Sequence, residues 1–248
     1  MKSLVILLLV FLFINNSVNG KDETVIFKGA EIYTAAGAYY ANGVLVIKNG
    51  IIDYVGDAAS YNTQDNVKVV DVTGKVILPG LVDTHSHIGI DWGFDSDSPT
   101  HPDIRILDSI DPFNDTFGRV RAGGITTVNI MPGSGHLMSG QTVYLKTKPA
   151  KTINEMLFCN DILNDICGGM KMANGTNSIR NAPFPSTRGK SAAIVRELFY
   201  KAIDYKNKLD AGKKDITKMP SKNIELEPLV EILDKKRVVH HHTHRADD

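Results

Sequence analysis

Three groups of residues in this chain are of types, and at spacings, that can do chemistry. The first is Pro79-Gly80-Leu81-Val82-Asp83-Thr84-His85-Ser86-His87. Side chains two apart on a strand point to one face, so His85 and His87 can reach a single ion together. Imidazole suits Zn, Mn, Fe or Ni. The second group is Val238-Val239-His240-His241-His242-Thr243-His244-Arg245-Ala246-Asp247-Asp248, in which His240, His242 and His244 would share a strand face. Thr243 interrupts the histidines, which argues against an expression tag. The third is Gly168-Gly169-Met170-Lys171-Met172, where Lys171 stands between apolar residues. A lysine with buried neighbours needs a reason to be there.

Weaker candidates surround these. Asp83 precedes the His pair and is expected either to orient it through a hydrogen bond or to cap the strand end. His136 lies in Gly133-Ser134-Gly135-His136, a candidate substrate loop, and His101 is a further isolated histidine. Arg245 could hold a substrate carboxylate bidentately or pair with Asp247.

The elements that must position these residues fall into two textures. Thr24–Phe27, Gly43–Lys48, Ile51–Val55 and Val67–Asp71 read as short strands, with Asn49-Gly50 as a type I′ hairpin turn. They predict a small antiparallel β module over 21–75. From Lys75 onward, apolar runs alternate with helical patterns. The runs are Val76–Val82, Gly124–Met131, Thr142–Thr147, Gly168–Met172 and Arg237–His242. The first has the continuous apolar character of a strand buried on both faces. The helices are expected at Asp115–Ala122, Thr152–Asp165, Thr187–Lys208 and Ile224–Lys235, with the lysine-rich stretch from Lys206 to Lys222 as a solvated loop. Strand alternating with helix implies a parallel sheet. The predicted fold class is α/β, an incomplete (β/α)8 barrel of five strands over 76–248.

Residues 1–20 stand apart. Lys2 precedes eleven apolar residues, Leu4–Ile14, and a polar exit with small residues at Val18 and Gly20. Eleven residues are too few to span roughly 30 Å of hydrocarbon. The stretch is expected to be a signal peptide cut after Gly20, giving a secreted or periplasmic protein without a stable membrane anchor. Cys159 and Cys167 are the two cysteines. A helix would hold them ~12 Å apart, beyond the ~7 Å reach of a disulfide, so two unpaired buried thiols are expected. Lys plus Arg and Asp plus Glu balance at 28 each. That leaves no electrostatic footprint for nucleic acid and points to a small-molecule partner, with an oligomer left open.

The apolar strand ending in Asp83-x-His85-x-His87 resembles the first barrel strand of the amidohydrolase superfamily, and the front module resembles that family's β-sandwich. The run His242-Thr243-His244-Arg245-Ala246-Asp247-Asp248 is similar to the fifth-strand motif of imidazolonepropionase-like members. The resemblance implies one or two divalent metal ions, with Zn the expected metal, held by His85, His87 and His242. Lys171 matches a fourth-strand lysine that many members carboxylate to bridge two metals. It implies hydrolysis of an amide, cyclic amide or dipeptide C–N bond by metal-activated water. His244, Arg245 and His136 become candidate substrate contacts. The family's acid–base Asp follows the eighth strand, so it is expected beyond Asp248. On this reading the chain is a fragment of an exported hydrolase; the alternative is a truncated, non-catalytic metal-binding remnant. Cyclic amides and dipeptides both suit the similarity to imidazolonepropionase-like and prolidase-like members; export fits cytosolic histidine breakdown poorly, so an amide or peptide scavenged outside the cytoplasm is the expected substrate.

Overall fold

A computed structural model describes residues 23–63, 65–90, 95–162 and 164–247. The expected signal peptide, its cut after Gly20, and Asp248 lie outside the described residues. Cα proximity divides the chain into two units, separated between Pro79 and Gly80.

The first unit is one five-stranded sheet. It comprises β1 (Thr24–Tyr33), β2 (Tyr39–Lys48), β3 (Ile51–Asp57), β4 (Lys68–Asp71) and β5 (Val76–Ile77). The order is β3-β2-β1-β4, with β5 also pairing β1. β1, β2 and β3 are antiparallel neighbours, whereas β4 and β5 run parallel to β1. The described residues therefore form a mixed sheet, not the purely antiparallel module expected. Asn49 and Gly50 hold φ of 53° and 79° between β2 and β3, the left-handed pair that a type I′ turn requires. Ile26, Val44 and Val46 alternate inward and pack with Ala58, Tyr54 and Tyr61. Val76-Ile77 belongs to this sheet, so the predicted run Val76–Val82 is two strands, broken at Pro79-Gly80.

The second unit holds β6 (Leu81–Ser86), α1 (Thr116–Ala122), β7 (Ile125–Ile130), β8 (Met138–Gln141), β9 (Val143–Lys146), β10 (Met170–Ala173), α2 (Arg188–Lys214), α3 (Glu227–Leu233) and β11 (Val239–His242). Two three-stranded sheets result, β6-β7-β9 and β11-β10-β8. β8 and β9 are nearly one strand bent at Thr142. Its N–H donates to Gly169 O (2.9 Å) and its Oγ1 accepts from Gly169 N (2.7 Å), which links the two sheets. A Cβ on Gly168 would stand 1.8 Å from Thr142 O, so only glycine allows this approach.

β6 with β7 and β10 with β11 are parallel, as the alternating texture predicts. The Thr142–Thr147 run is not: β9 is antiparallel to β7, and β8 to β10. Only a short loop without a helix separates β7 from β8, and a parallel return needs a longer crossover. The chain therefore reverses. The described strands make a mixed α/β unit and do not close into a barrel. Leu81 and Val82 are 51% and 61% exposed, contrary to the expectation of a strand buried on both faces; among the described strands β6 pairs only β7.

Two apolar layers hold the unit. Phe117, Val128, Ile130, Leu145 and Met156 pack on one side. Met138, Met170, Met172, Leu198, Ala202 and Leu229 join β8 and β10 to α2 and α3. Thr187 caps α2, accepting from Lys190 N at 3.2 Å. α2 continues to Lys214, so the start of the expected lysine-rich loop is helical; Lys206 bridges Asp210 and Asp234 at 3.3 and 2.8 Å.

The largest departure is at 152–165, where no helix forms beyond a short 3-10 turn, Ile153–Met156. Asp165 instead accepts the main-chain N–H groups of Asn160 and Asp161. This curl brings the Cys159 and Cys167 Cα atoms to 5.3 Å, and they form a disulfide. The expected unpaired thiols rested on a helical separation that the turn removes. Among the described residues no helix is long and apolar enough to cross a membrane.

Candidate metal centre

The site begins with an irregularity in β6. Asp83 pairs with Val128 and Ser86 with Ile130, so β6 holds one residue more than β7 across this stretch. Such a bulge re-aims side chains. Asp83 Oδ1 accepts the main-chain N–H of His85 at 3.0 Å. The carboxylate thus holds the bulged backbone, as a strand-end cap does, and acts on the His85 imidazole through its charge. His85 and His87 are both solvent-exposed, their rings 5.1 Å apart and edge-on.

His87 Nδ1 lies 2.8 Å from Met131 O. A carbonyl only accepts, so Nδ1 carries the proton and Nε2 presents its lone pair. This is how metal-ligating histidines are ordinarily fixed.

β10 delivers Lys171, at 1% exposure one of the most deeply buried large side chains. Its Nζ reaches His85 Nε2 at 3.2 Å. Burial pulls the Lys171 pKa down from its ordinary value. His85 is likewise lowered, first by burial and then by the charges of Lys171, His87 and His242. β11 runs parallel to β10 and pairs His240 with Lys171 and His242 with Ala173. Burial lowers both imidazoles, and the Lys171 charge adds to each. Among the described residues His242 Nε2 is buried without a hydrogen-bond partner.

His240 sits deeper, where Asn129 Nδ2 (3.1 Å) and the Tyr144 hydroxyl (3.4 Å) approach its Nε2, and Asn129 also donates to Thr84 O (3.2 Å). Sequence reasoning missed Asn129 and Tyr144 as neighbours of the site. The available signal was a polar residue within the otherwise apolar end of β7.

The structure thus gathers His85, Lys171 and His242 within electrostatic reach, with His87 beside His85. His244 stacks edge-on against His242 at 4.6 Å and its Nδ1 is 3.3 Å from Thr176 Oγ1. Arg245 makes a bidentate pair with Asp247 at 2.8 and 2.9 Å, the second of its two expected partners. His136 lies elsewhere, 4% exposed and bonded through Nε2 to Asp95 O at 2.7 Å, with the His101 ring beside it.

These donors fit a divalent ion. Nε2 of His87 is freed by its neighbour's bond, Nε2 of His242 is orphaned in a buried position, and Lys171 is held near His85 in an environment that favours its uncharged form. An unsatisfied buried nitrogen calls for a partner.

No family model matches the chain. A solved amidohydrolase from Thermotoga maritima MSB8 superposes with a TM-score of 0.79 at 28% identity, over 90% of this chain and 59% of that one. An imidazolonepropionase from Bacillus cereus is 45% identical over 47 residues, 19% of this chain and 11% of the relative. A 5'-deoxyadenosine deaminase from Methanobrevibacter smithii is 36% identical over 69 residues, 28% of this chain and 15% of the relative. The chain thus spans under two thirds of the solved amidohydrolase and small parts of these curated relatives. These similarities in fold and sequence support placing the chain with the amidohydrolase superfamily.

Proposed function

We propose that this chain carries the metal-binding part of a hydrolase that cleaves a C–N bond in an amide, cyclic amide or dipeptide outside the cytoplasm. The observation that carries the reading is the convergence of a deeply buried lysine with histidines from the ends of two separate strands, β6 and β11. His85, His87 and His242 would hold a divalent ion, with zinc the expected metal. Lys171 would join them after carboxylation. That step requires a neutral amine: the Nζ lone pair forms a bond to the carbon of CO2 and one proton leaves. The depressed Lys171 pKa favours it. When bound, the ion supplies Lewis acidity toward a carbonyl oxygen and toward water.

The chain's own residues supply position. Asp83 and Met131 O fix the backbone of His85 and the ring of His87. Asn129 and Tyr144 hold His240, the strand partner of Lys171. His244, at the strand's exit, is positioned as a substrate contact, while Arg245 must leave Asp247 before it can bind a carboxylate. The names of the amidohydrolase, imidazolonepropionase and deaminase relatives support C–N bond chemistry. The apolar leader supports export, and the Cys159–Cys167 disulfide suits an oxidising compartment.

The test is zinc loading followed by assay against N-acyl amino acids, dipeptides and cyclic amides. Turnover that tracks zinc content and disappears in His85→Ala/His87→Ala supports the proposal. Equal turnover by metal-stripped protein overturns it. Stoichiometric zinc that is lost in His85→Ala/His87→Ala supports the metal site even without turnover, because the acid–base Asp is expected beyond Asp248.

A further inference from the structure

The long connection from β6 to α1 carries a second group of ligand-type residues. Donor atoms of Asp95, Asp97 and His101 all lie within 4.8 Å of one another. Acidic side chains near one another are ordinary on a surface; the histidine is what sets this group apart. His101 is 8% exposed, and its Nε2 is sealed from solvent without a hydrogen-bond partner among the described residues. Its nearest charged neighbour is Asp97 Oδ1 at 3.4 Å, a separation that counts as an ion pair only for a protonated ring and that lacks hydrogen-bond geometry. A buried imidazole nitrogen turned toward carboxylates and bonded to nothing calls for a partner.

The surrounding structure presets this imidazole. The His101 main-chain N–H donates to Met138 O at 2.8 Å. The ring packs edge-on against His136 at 5.3 Å. His136 Nε2 donates to Asp95 O at 2.7 Å, tying the acidic turn to the same histidine pair. Within that turn Asp97 N–H bonds to Asp95 Oδ1 at 3.1 Å, so both carboxylates come from one tight bend. The nitrogen is fixed, and the two carboxylates are exposed and free to close on it.

We propose that Asp95, Asp97 and His101 form a second divalent-cation site, distinct from the centre at His85, His87, Lys171 and His242. The donor set names the class of ion. Mg2+ and Ca2+ take oxygen ligands, whereas an imidazole with two carboxylates suits Zn2+ or Mn2+. Bonds of roughly 2.0–2.2 Å place ligand atoms about 3–3.5 Å apart, so the carboxylates need to move in by about 1 Å. Water completes the coordination. A bound ion would fasten this connection to the segment Leu137–Gln141, which it already meets through the bridge Thr100–Met138 and the bond from Leu137 N to Pro99 O.

The proposal is independent of the hydrolytic reading, and its test separates the two. Zn2+ and Mn2+ would be titrated calorimetrically into the unmutated chain, into Asp95→Asn/Asp97→Asn and into His85→Ala/His87→Ala, with bound metal counted after gel filtration. The His85/His87 variant is expected to retain one ion that the Asp95/Asp97 variant lacks. Mn2+ is expected to broaden the His101 ring resonances in the unmutated protein and to leave them sharp in Asp95→Asn/Asp97→Asn. Should the His85/His87 variant fail to fold, the decision rests on the other pair: one ion fewer in Asp95→Asn/Asp97→Asn supports the site. An unchanged ion count in that variant, or no ion retained by a folded His85/His87 variant, overturns it.

Discussion

Replacing Lys171 by methionine tests directly whether the buried amine serves function against stability. The side chains are similar in length, so the layer between β10 and its neighbours should refill without a large void. What changes is the amine. At 1% exposure its single polar contact among the described residues is His85 Nε2 at 3.2 Å, while an amine has further hydrogen-bonding capacity. A buried polar group left short of partners costs about 1–3 kcal/mol. Removing it should stabilise the metal-free protein by about that amount, less the roughly 1 kcal/mol of the hydrogen bond lost. For a chain of this size each kcal/mol moves the melting temperature by about 2–4 °C. The metal-free variant should therefore melt up to about 8 °C higher at pH 7.5 in EDTA. It should also bind zinc at least tenfold more weakly, as loss of a neighbour to bound metal typically does. Urea unfolding and zinc competition against a chromophoric chelator measure the two effects. A metal-free variant less stable than the parent by more than about 1 kcal/mol would refute the reasoning, because Lys171 would then be holding the fold together.

Two further predictions concern the rest of the unit. Burial lowers the pKa of His85, His240 and His242 below the ordinary 6.5, so in the window just below that value the unfolded chain binds more protons than the folded one. Stability is then complete above pH 6.5 and is lost as pH falls through and below it; melting temperatures in EDTA at pH 7.5 and 5.5 check the sign, and an unaltered acid slope in His240→Gln would assign the loss to carboxylates. The Cys159–Cys167 disulfide closes a short loop of sequence separation 8, for which chain entropy gives about 2–3 kcal/mol. Cys159→Ser/Cys167→Ser should unfold at correspondingly lower denaturant, and equal midpoints under oxidising conditions would show that the turn at Asp165 suffices.

The local signals in the sequence were sound where one short-range rule decided the outcome. Asn49-Gly50 marked a tight turn, and a helix from Thr187 onward followed from helical spacing of its apolar residues. His85, His87, Lys171 and His242 were legible because each is a costly residue at the end, or in the middle, of an apolar strand. Tertiary structure decided what short-range rules leave open. The run Thr142–Thr147 has the composition of a strand in either direction, and only its partners made it antiparallel. The segment 152–165 has helical spacing, yet the Asp165 carboxylate and the Cys159–Cys167 bond hold its end in a turn, and these contacts outweigh propensities of a few tenths of a kcal/mol per residue. Asp95, Asp97 and His101 are unremarkable in one dimension. Their relation exists only because the turn at Asp95, the strand at Met138 and the ring of His136 enclose one imidazole and turn it toward two carboxylates. Residue type fixes which atoms can bind a ligand; burial and orientation, which depend on contacts distant in the chain, fix which of them are available to do so.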